Sequence, residues 1–303
     1  CIRDRFCARP ALSNNDDAVS IPTTMYADLH LHTHFSDGTY SPEELAGHGK
    51  RCELSIMSLT DHDTVDGCER MGKACEELGI EFITGTELTC EWDGTELHML
   101  GYFIDTAHPR LQESMQKYQK VRRNRIREMV ERLNNMGIEI TAGEVFELAN
   151  CDSPGRPHLA RTLIKNGTVK SLDEAFERFL KHNRPAWVPK PKLTAPEAIE
   201  LVQAVGGLAV LAHPGLYRAD EVIPPLAEAG LDGIECFHSR HSNYAIEHYL
   251  RVAARFRLLP SGGSDCHGMN KGEPLIGGVK LAADYVDRMR ETATARQEKL
   301  SAN

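Results

Sequence analysis

Short apolar stretches alternate with helical patterns along most of this sequence, and nearly every stretch runs into a histidine or a carboxylate. Met25-Tyr26-Ala27-Asp28-Leu29 leads to His30 and His32, and Ile56-Met57-Ser58-Leu59-Thr60 to Asp61-His62-Asp63. The stretch from Glu81 to Leu88 carries Glu87, and that from Glu96 to Tyr102 carries His98. Further on, Gly206 to Gly215 holds His213, Gly230 to Cys236 forms another strand, and Leu258 to His267 closes on Ser264-Asp265-Cys266-His267. Helix signals stand between them. Ser41-Pro42-Glu43-Glu44 reads as an N-cap, a proline at the first helical position and an acidic first turn, and Glu69 to Leu78 stops at Gly79, a C′ glycine. Strands alternating with helices predict βαβ units and a largely parallel sheet, hence an α/β fold.

The alternation lapses between residues 109 and 187, where long helical periodicity with many charges takes over and no strand is evident. The expected organisation is an N-terminal extension over 1–24, a discontinuous barrel-like unit over 25–108 and 188–285, a helical insertion over 109–187, and a charged helical tail over 286–303. A chain of 303 residues, 41% hydrophobic, suits one barrel-sized domain carrying such an insertion. No apolar run approaches the ~20 residues that cross a bilayer, and residues 1–20 hold no apolar signal-peptide core. The nine cysteines are scattered without CxxC spacing, which predicts reduced thiols in the cytoplasm, Cys75 and Cys90 among them in the core. A net charge of −9 argues against binding duplex nucleic acid. Oligomeric state leaves no mark in the sequence.

Residues i and i+2 of a strand share a face, so His30 and His32 point to one spot, and Asp265 and His267 repeat that geometry. Barrels of parallel strands gather their chemistry at the C-terminal ends of the strands. His30, His32, Asp37, His62, Glu87, His98, His213, Asp265 and His267 all fall there. Nitrogen and carboxylate donors without a thiolate suit two or three divalent cations, not a Cys-type structural zinc. Taken singly, His98 between Leu97 and Met99 reads as a core histidine, His213 before Pro214 as a strand cap, and Asp61 or Asp63 as an orienter of a ring. As a set, that reading needs nine coincidences on one face.

Together, His30-x-His32 with Ser36-Asp37-Gly38 and Ser41-Pro42, Leu59-Thr60-Asp61-His62-Asp63, Glu87, Ala212-His213-Pro214-Gly215, and Ser261 to His267 resemble the PHP-domain metal-dependent phosphoesterases. The likeness spans most of residues 25–280 and is nearest to the branch of nucleoside 3′,5′-bisphosphate phosphatases and 5′-to-3′ exoribonucleases. It implies a distorted (βα)7 TIM-like barrel with a helical insertion, and the same nine residues as metal ligands. It also implies two or three metals, manganese foremost, with iron(II), zinc or magnesium as alternatives. His34 lies where other members carry different residues and is left out. The substrate implied is a small nucleotide, AMP-like or a bisphosphate, or a short RNA end, and neither duplex DNA nor a membrane. Glu87, His213 and Asp265 are the expected catalytic residues: two cations ~3.5–4 Å apart would share Glu87 and a hydroxide that attacks phosphorus in line.

Two features suit an anionic substrate. Tyr118, Ile126, Met129, Leu133 and Met136 make an apolar helical stripe on which Arg122 and Arg125 fall, whereas Arg123 and Arg127 point away. An inward arginine needs an anion, and phosphate matches its fork. Arg156 and His158 open a helix whose N-terminus is a second phosphate candidate. His241, with His213, is a candidate for meeting the substrate and protonating its leaving oxygen. Two rivals stand beside this reading. An amidohydrolase-type C–N hydrolase also begins with HxH, but usually bridges its metals with a modified lysine, and Glu87 stands in that place. An inactive metal-stabilised module would be missing ligands.

Overall fold

The computed structural model describes residues 25–189, 193–217 and 220–302; the extension expected over 1–24 lies outside the described residues. In chain order the first part comprises β1 (Tyr26–Asp28), α1 (Pro42–Arg51), β2 (Ile56–Leu59), α2 (Cys68–Leu78), β3 (Glu81–Trp92) and β4 (Thr95–Tyr102). Helices α3 (Pro109–Asn135), α4 (Ala142–Ala149), α5 (Arg156–Lys165) and α6 (Leu172–Ala175) follow, the last running into a π-helical turn at Phe176–Leu180. Next come β5 (Leu193–Thr194), α7 (Ala195–Ala204), β6 (Leu208–Leu211), α8 (Ile223–Glu228), β7 (Gly233–His238), α9 (Asn243–Phe256) and β8 (Leu259–Gly263). The chain ends in β9 (Leu281–Ala282) and α10 (Ala283–Ser301).

The start of α1 is a complete capping box, Ser41 accepting from the Glu44 N–H while Glu44 reaches back to the Ser41 N–H, with Pro42 just inside. α2 ends on Gly79 in the left-handed region, φ +66°. The strands lie in the order β8-β7-β6-β4-β3-β2-β1-β9, with β5 beside β3. The β1–β2, β2–β3, β6–β7 and β7–β8 pairs are parallel. Beyond its ends the sheet curls nearly closed, because Leu29 N–H donates to the Gly262 carbonyl and Leu31 pairs with Cys266. The result is a distorted TIM-like α/β barrel.

Two strands depart from the parallel pattern, β9, which is antiparallel to β1, and β4. β4 is antiparallel to both its neighbours, β3 and β6. The two-residue turn Asp93-Gly94 between β3 and β4 is too short for a crossover, so the chain must double back. Glu87 and His98 therefore sit inside a long hairpin and not at strand ends.

The apolar stripe of α3 buries Ile126, Met129 and Leu133 against Leu159, Leu163 and Leu180, so the helices of 109–187 share a core of their own. Met136, expected on that stripe, is 41% exposed, because the helix has already ended there. The segment 286–303 is no free tail as far as residue 302. α10 buries Val286, Met289 and Ala293 against Ala27, Leu29 and Ile56, and Arg296 grips Asp232 at 2.6 Å.

Candidate metal centre

His30 and His32 follow β1 on chain laced to the extension of β8: His32 N–H donates to the Cys266 carbonyl (3.0 Å) and Asp265 N–H to the His30 carbonyl (2.9 Å). β8 has to be bare where it passes, since a Cβ on Gly263 would stand 2.3 Å from the His30 nitrogen. The turn bearing Asp37 is stapled by buried Asp61, whose carboxylate accepts the Thr33 N–H at 2.8 Å and the Thr33 and Ser36 hydroxyls at 2.5 Å. Asp61 thus holds the loop, where the sequence suggested an orienter of a ring.

Glu87 is the hub. Its Oε2 lies 3.0 Å from His62 Nδ1, 3.2 Å from His32 Nε2 and 3.3 Å from His30 Nε2. Its Oε1 lies 2.7 Å from His98 Nδ1 and 3.2 Å from His213 Nε2. Asp265 Oδ1 is 3.3 Å from His32 Nε2, and Asp37 Oδ1 is 3.2 Å from His267 Nε2. All nine residues singled out in the sequence therefore meet at one place. Their donor atoms fall into groups within 4.8 Å of one another: His32, Asp37, His62 and His267; His30, His32, Glu87 and Asp265; His62, Glu87 and His98.

The buried atoms His30 Nε2, His32 Nδ1 and Nε2, Asp37 Oδ1, His62 Nδ1, Glu87 Oε2 and His213 Nδ1 have no hydrogen-bond partner. A buried polar atom left that way costs ~1–3 kcal/mol, and so many facing one another fit a cluster of cations held by nitrogen and oxygen. The electrostatics agree. Burial opposes ionisation of Glu87, Asp37 and Asp265, yet the surrounding imidazoles hold all three well below the usual carboxylate range. Burial also presses on the imidazoles, but the facing carboxylates of Asp265 and Glu87 carry His32 up to about 10, whereas burial prevails at His62 and brings it down to about 3. Several backbones here are strained: His213, Asp265 and Asp63 have φ of +28°, +56° and +51°.

Two members of the site have no counterpart among the candidates. Glu235 Oε1 accepts the His30 Nδ1–H at 3.0 Å, and its Oε2 accepts the His213 N–H at 2.8 Å. That bond fixes the His30 tautomer, leaving its Nε2 lone pair facing Glu87. His238 Nε2 stands 3.5 Å from Asp265 Oδ2. A bulge between Glu235 and Phe237 turns both Glu235 and His238 inward, against strict alternation.

A cavity of about 140 Å³ opens beside the cluster, lined by Asp37, His62 and His98 together with Arg122, Arg125 and Arg156. Arg122 is aimed by Asp63 Oδ2 (2.6 Å from Nε) and Thr89 Oγ1 (3.1 Å from Nη2). Arg125 donates from Nε to the Val188 carbonyl at 2.9 Å, and burial with the adjacent Arg156 brings its guanidinium down to about 10. Arg156 lies 3.4 Å from Glu96 and over the Phe176 ring. Arg123 and Arg127 lie against Phe146 instead.

The two histidines expected to meet substrate are turned to other work. His158 is buried, and its Nδ1 accepts the Gly155 N–H at 3.0 Å, capping α5 and occupying part of the N-terminus proposed for phosphate. His241 spans two backbones, with Nδ1 2.9 Å from the Cys236 carbonyl and Nε2 accepting the Gly215 N–H. With both nitrogens engaged it has no proton to spare for a leaving group.

Comparison with known proteins gives a consistent picture. The family model for the PHP domain matches residues 28–184. The chain is 33% identical over 245 residues to a 5′-3′ exoribonuclease of Haemophilus influenzae, covering 79% of this chain and 89% of that protein. It is 32% identical over 260 residues to a 3′,5′-nucleoside bisphosphate phosphatase of Chromobacterium violaceum, covering 82% and 90%. A solved structure from Bifidobacterium adolescentis, to which metal-dependent phosphoesterase activity has been ascribed, superposes with a TM-score of 0.81 at 31% identity, over 88% of this chain and 96% of that one.

Proposed function

This chain belongs to the PHP-domain family of metal-dependent phosphoesterases and is a hydrolase of phosphoric esters, and we propose that its substrates are nucleoside bisphosphates or the 5′-phosphorylated ends of short RNAs. One observation carries the reading: residues of the cluster around Glu87 and the three arginines line one cavity, so a nucleotide phosphate reaching the cluster has guanidinium groups within reach for its other phosphate.

The nine residues are assigned as ligands for two or three divalent cations, manganese first among them. When bound, such cations supply Lewis acidity to the phosphorus centre and activate water for attack. The protein does the rest. Glu87, with an oxygen turned to each side of the cluster, and Asp265 hold negative charge at its middle. Glu235 keeps the proton of His30 on Nδ1, away from the cluster. Arg122, preorganised by Asp63, and Arg125 and Arg156 bind and orient the anion, and the helices of 109–187 cover it. His213, buried with its Nε2 3.2 Å from Glu87, is assigned with Glu87 and Asp265 to the catalytic centre. The described cysteines are all free thiols.

The test is phosphate release by manganese-loaded protein from adenosine 3′,5′-bisphosphate, AMP and a 5′-phosphorylated oligoribonucleotide, with Glu87→Ala as control. Release from the bisphosphate, absent in the control, establishes a phosphatase; mononucleotides from the oligomer establish an exonuclease. Silence on all three overturns the nucleotide assignment.

A further inference from the structure

The helices that cover the cavity also hold the metal-centre loops beneath them. Arg161, on α5, donates from Nη2 to the backbone carbonyl of Asp37 at 2.6 Å. Ser153, fully buried, donates its hydroxyl to the backbone carbonyl of His62, also at 2.6 Å. Cys151 Sγ–H reaches the Ser36 carbonyl at 3.4 Å, and Arg122 takes the Asp63 carboxylate. The orientation of a residue's own carbonyl sets its ψ, so bonds to the carbonyls of Asp37 and His62 fix the direction in which those side chains leave the backbone.

The support is selective. Among the described residues, those of 109–187 make no hydrogen bond to His30, His32, Glu87 or Asp265. These four are held by the β1–β8 lacing, the β3–β4 hairpin and Glu235. The two principal ligand groups thus have different foundations. His30, His32, Glu87 and Asp265 rest on the barrel alone. The second group shares His32 with the first and takes Asp37 and His62 from two loops whose carbonyls are bonded from above. Those loops do not collapse without the pins, because Asp61 staples residues 33–36 from the barrel side, Asn270 shares the Asp37 carbonyl at 2.5 Å, and the backbone on either side of His62 is bonded to that of Glu87.

Building on the phosphoesterase reading, we infer that the helical insertion assembles the cation position at Asp37, His62 and His267, with Arg161 and Ser153 as positioning residues, so that filling this position and docking of the insertion are one linked equilibrium. The same insertion carries Arg122, Arg125 and Arg156. An anion held by these arginines and a cation held at this position therefore strengthen each other's binding by the same factor. A substrate phosphate would recruit the last cation of the centre as it binds.

The experiment is calorimetric titration of the metal-free protein with manganese, with and without inorganic phosphate, for the parent and for Ser153→Ala, Arg161→Met and Arg161→Lys. In the parent, one class of cation sites is expected to tighten when phosphate is present. Ser153→Ala and Arg161→Met weaken that class 10- to 100-fold, the range typical for loss of a ligand-orienting partner, and remove its response to phosphate while the remaining class is unchanged. Arg161→Lys, which keeps a donor for the Asp37 carbonyl, recovers most of the affinity. Equal weakening of every class, as general loosening would give, overturns the inference, and so does a parent whose cation sites ignore phosphate. A parent that takes up no manganese overturns the phosphoesterase reading as well.

Discussion

Replacing Glu235 by glutamine changes one atom at the back of the metal centre and tests whether that centre depends on the tautomer of His30. Glu235 is fully buried and acceptor-only, serving His30 Nδ1–H at 3.0 Å and the His213 N–H at 2.8 Å with its two oxygens. Glutamine offers one oxygen and one NH2 in the same space. If the oxygen stays on His213, the NH2 faces His30 Nδ1 and forces the ring proton onto Nε2, the atom that looks toward Glu87 at 3.3 Å and Asp265 at 3.5 Å. If the oxygen stays on His30, the NH2 opposes the His213 N–H and leaves a buried donor unsatisfied, which costs ~1–3 kcal/mol. Either way, manganese affinity should fall by roughly 10- to 100-fold, equivalent to about 1.4–2.7 kcal/mol. The assay is competition with a chelator of known affinity, read alongside phosphate release at saturating and limiting manganese. Loss of rate at limiting metal with substantial recovery at saturation is the expected pattern. A variant whose manganese affinity stays within twofold of the parent would refute the argument, because both hydrogen bonds would then be dispensable.

Three further outcomes are expected. Chelation should abolish phosphate release and manganese restore it, with uptake that weakens as the pH is lowered and releases protons at neutral pH, because burial at His32 is outweighed by Asp265 and Glu87 and its imidazole must shed a proton held up to about 10; pH-independent uptake would contradict this. Arg122→Met should raise KM for a bisphosphate more than it lowers kcat, and Asp63→Asn should do the same more weakly, since Asp63 acts through Arg122 at 2.6 Å; unchanged KM in both would remove the arginines from substrate binding. His158 stays neutral in the fold down to about 4, because of burial first, while the unfolded chain takes up a proton near 6.5. The unfolded state thus binds more protons in that window, and stability should fall by about 2 kcal/mol between pH 7 and 5 from this group alone. Urea unfolding at both pH values should show a smaller loss in His158→Gln; an identical loss would place the acid sensitivity elsewhere.

The centre was legible where its residues obey local rules. His30 and His32 share a face because extended chain has a period of two. Asp265 and His267 repeat the pattern, and Ser41 to Glu44 wrote the start of α1 outright. What escaped depends on geometry that one strand cannot express. Glu235 and His238 differ by an odd number of positions, so alternation puts them on opposite faces, and only the bulge between Glu235 and Phe237 brings both inward. The direction of β4 followed from the tightness of the Asp93-Gly94 turn, whereas the repeating pattern of strand and helix suggested a parallel neighbour. His158 and His241 looked available because nothing nearby in sequence claims both of their nitrogens; their partners are backbone groups brought close by capping and folding. Arg161 and Ser153 grip carbonyls 124 and 91 residues away, and a carbonyl has no signature in a sequence.

The lacing of β1 to β8 and β9 has a consequence for how the protein comes into being. His30 finds Glu235 across 205 residues, and Asp28 finds the Ser264 and Gly277 N–H groups across 236 and 249. A chain emerging from the ribosome exposes His30, His32 and His62 well before Asp265 and His267. Until those arrive and the first strand gains its flanking partners, the earlier histidines have Glu87 but lack Asp265 and the backbone contacts that complete the set. Metal capture is thereby deferred to the final closure of the ring, when long-range contacts repay the loop entropy they cost.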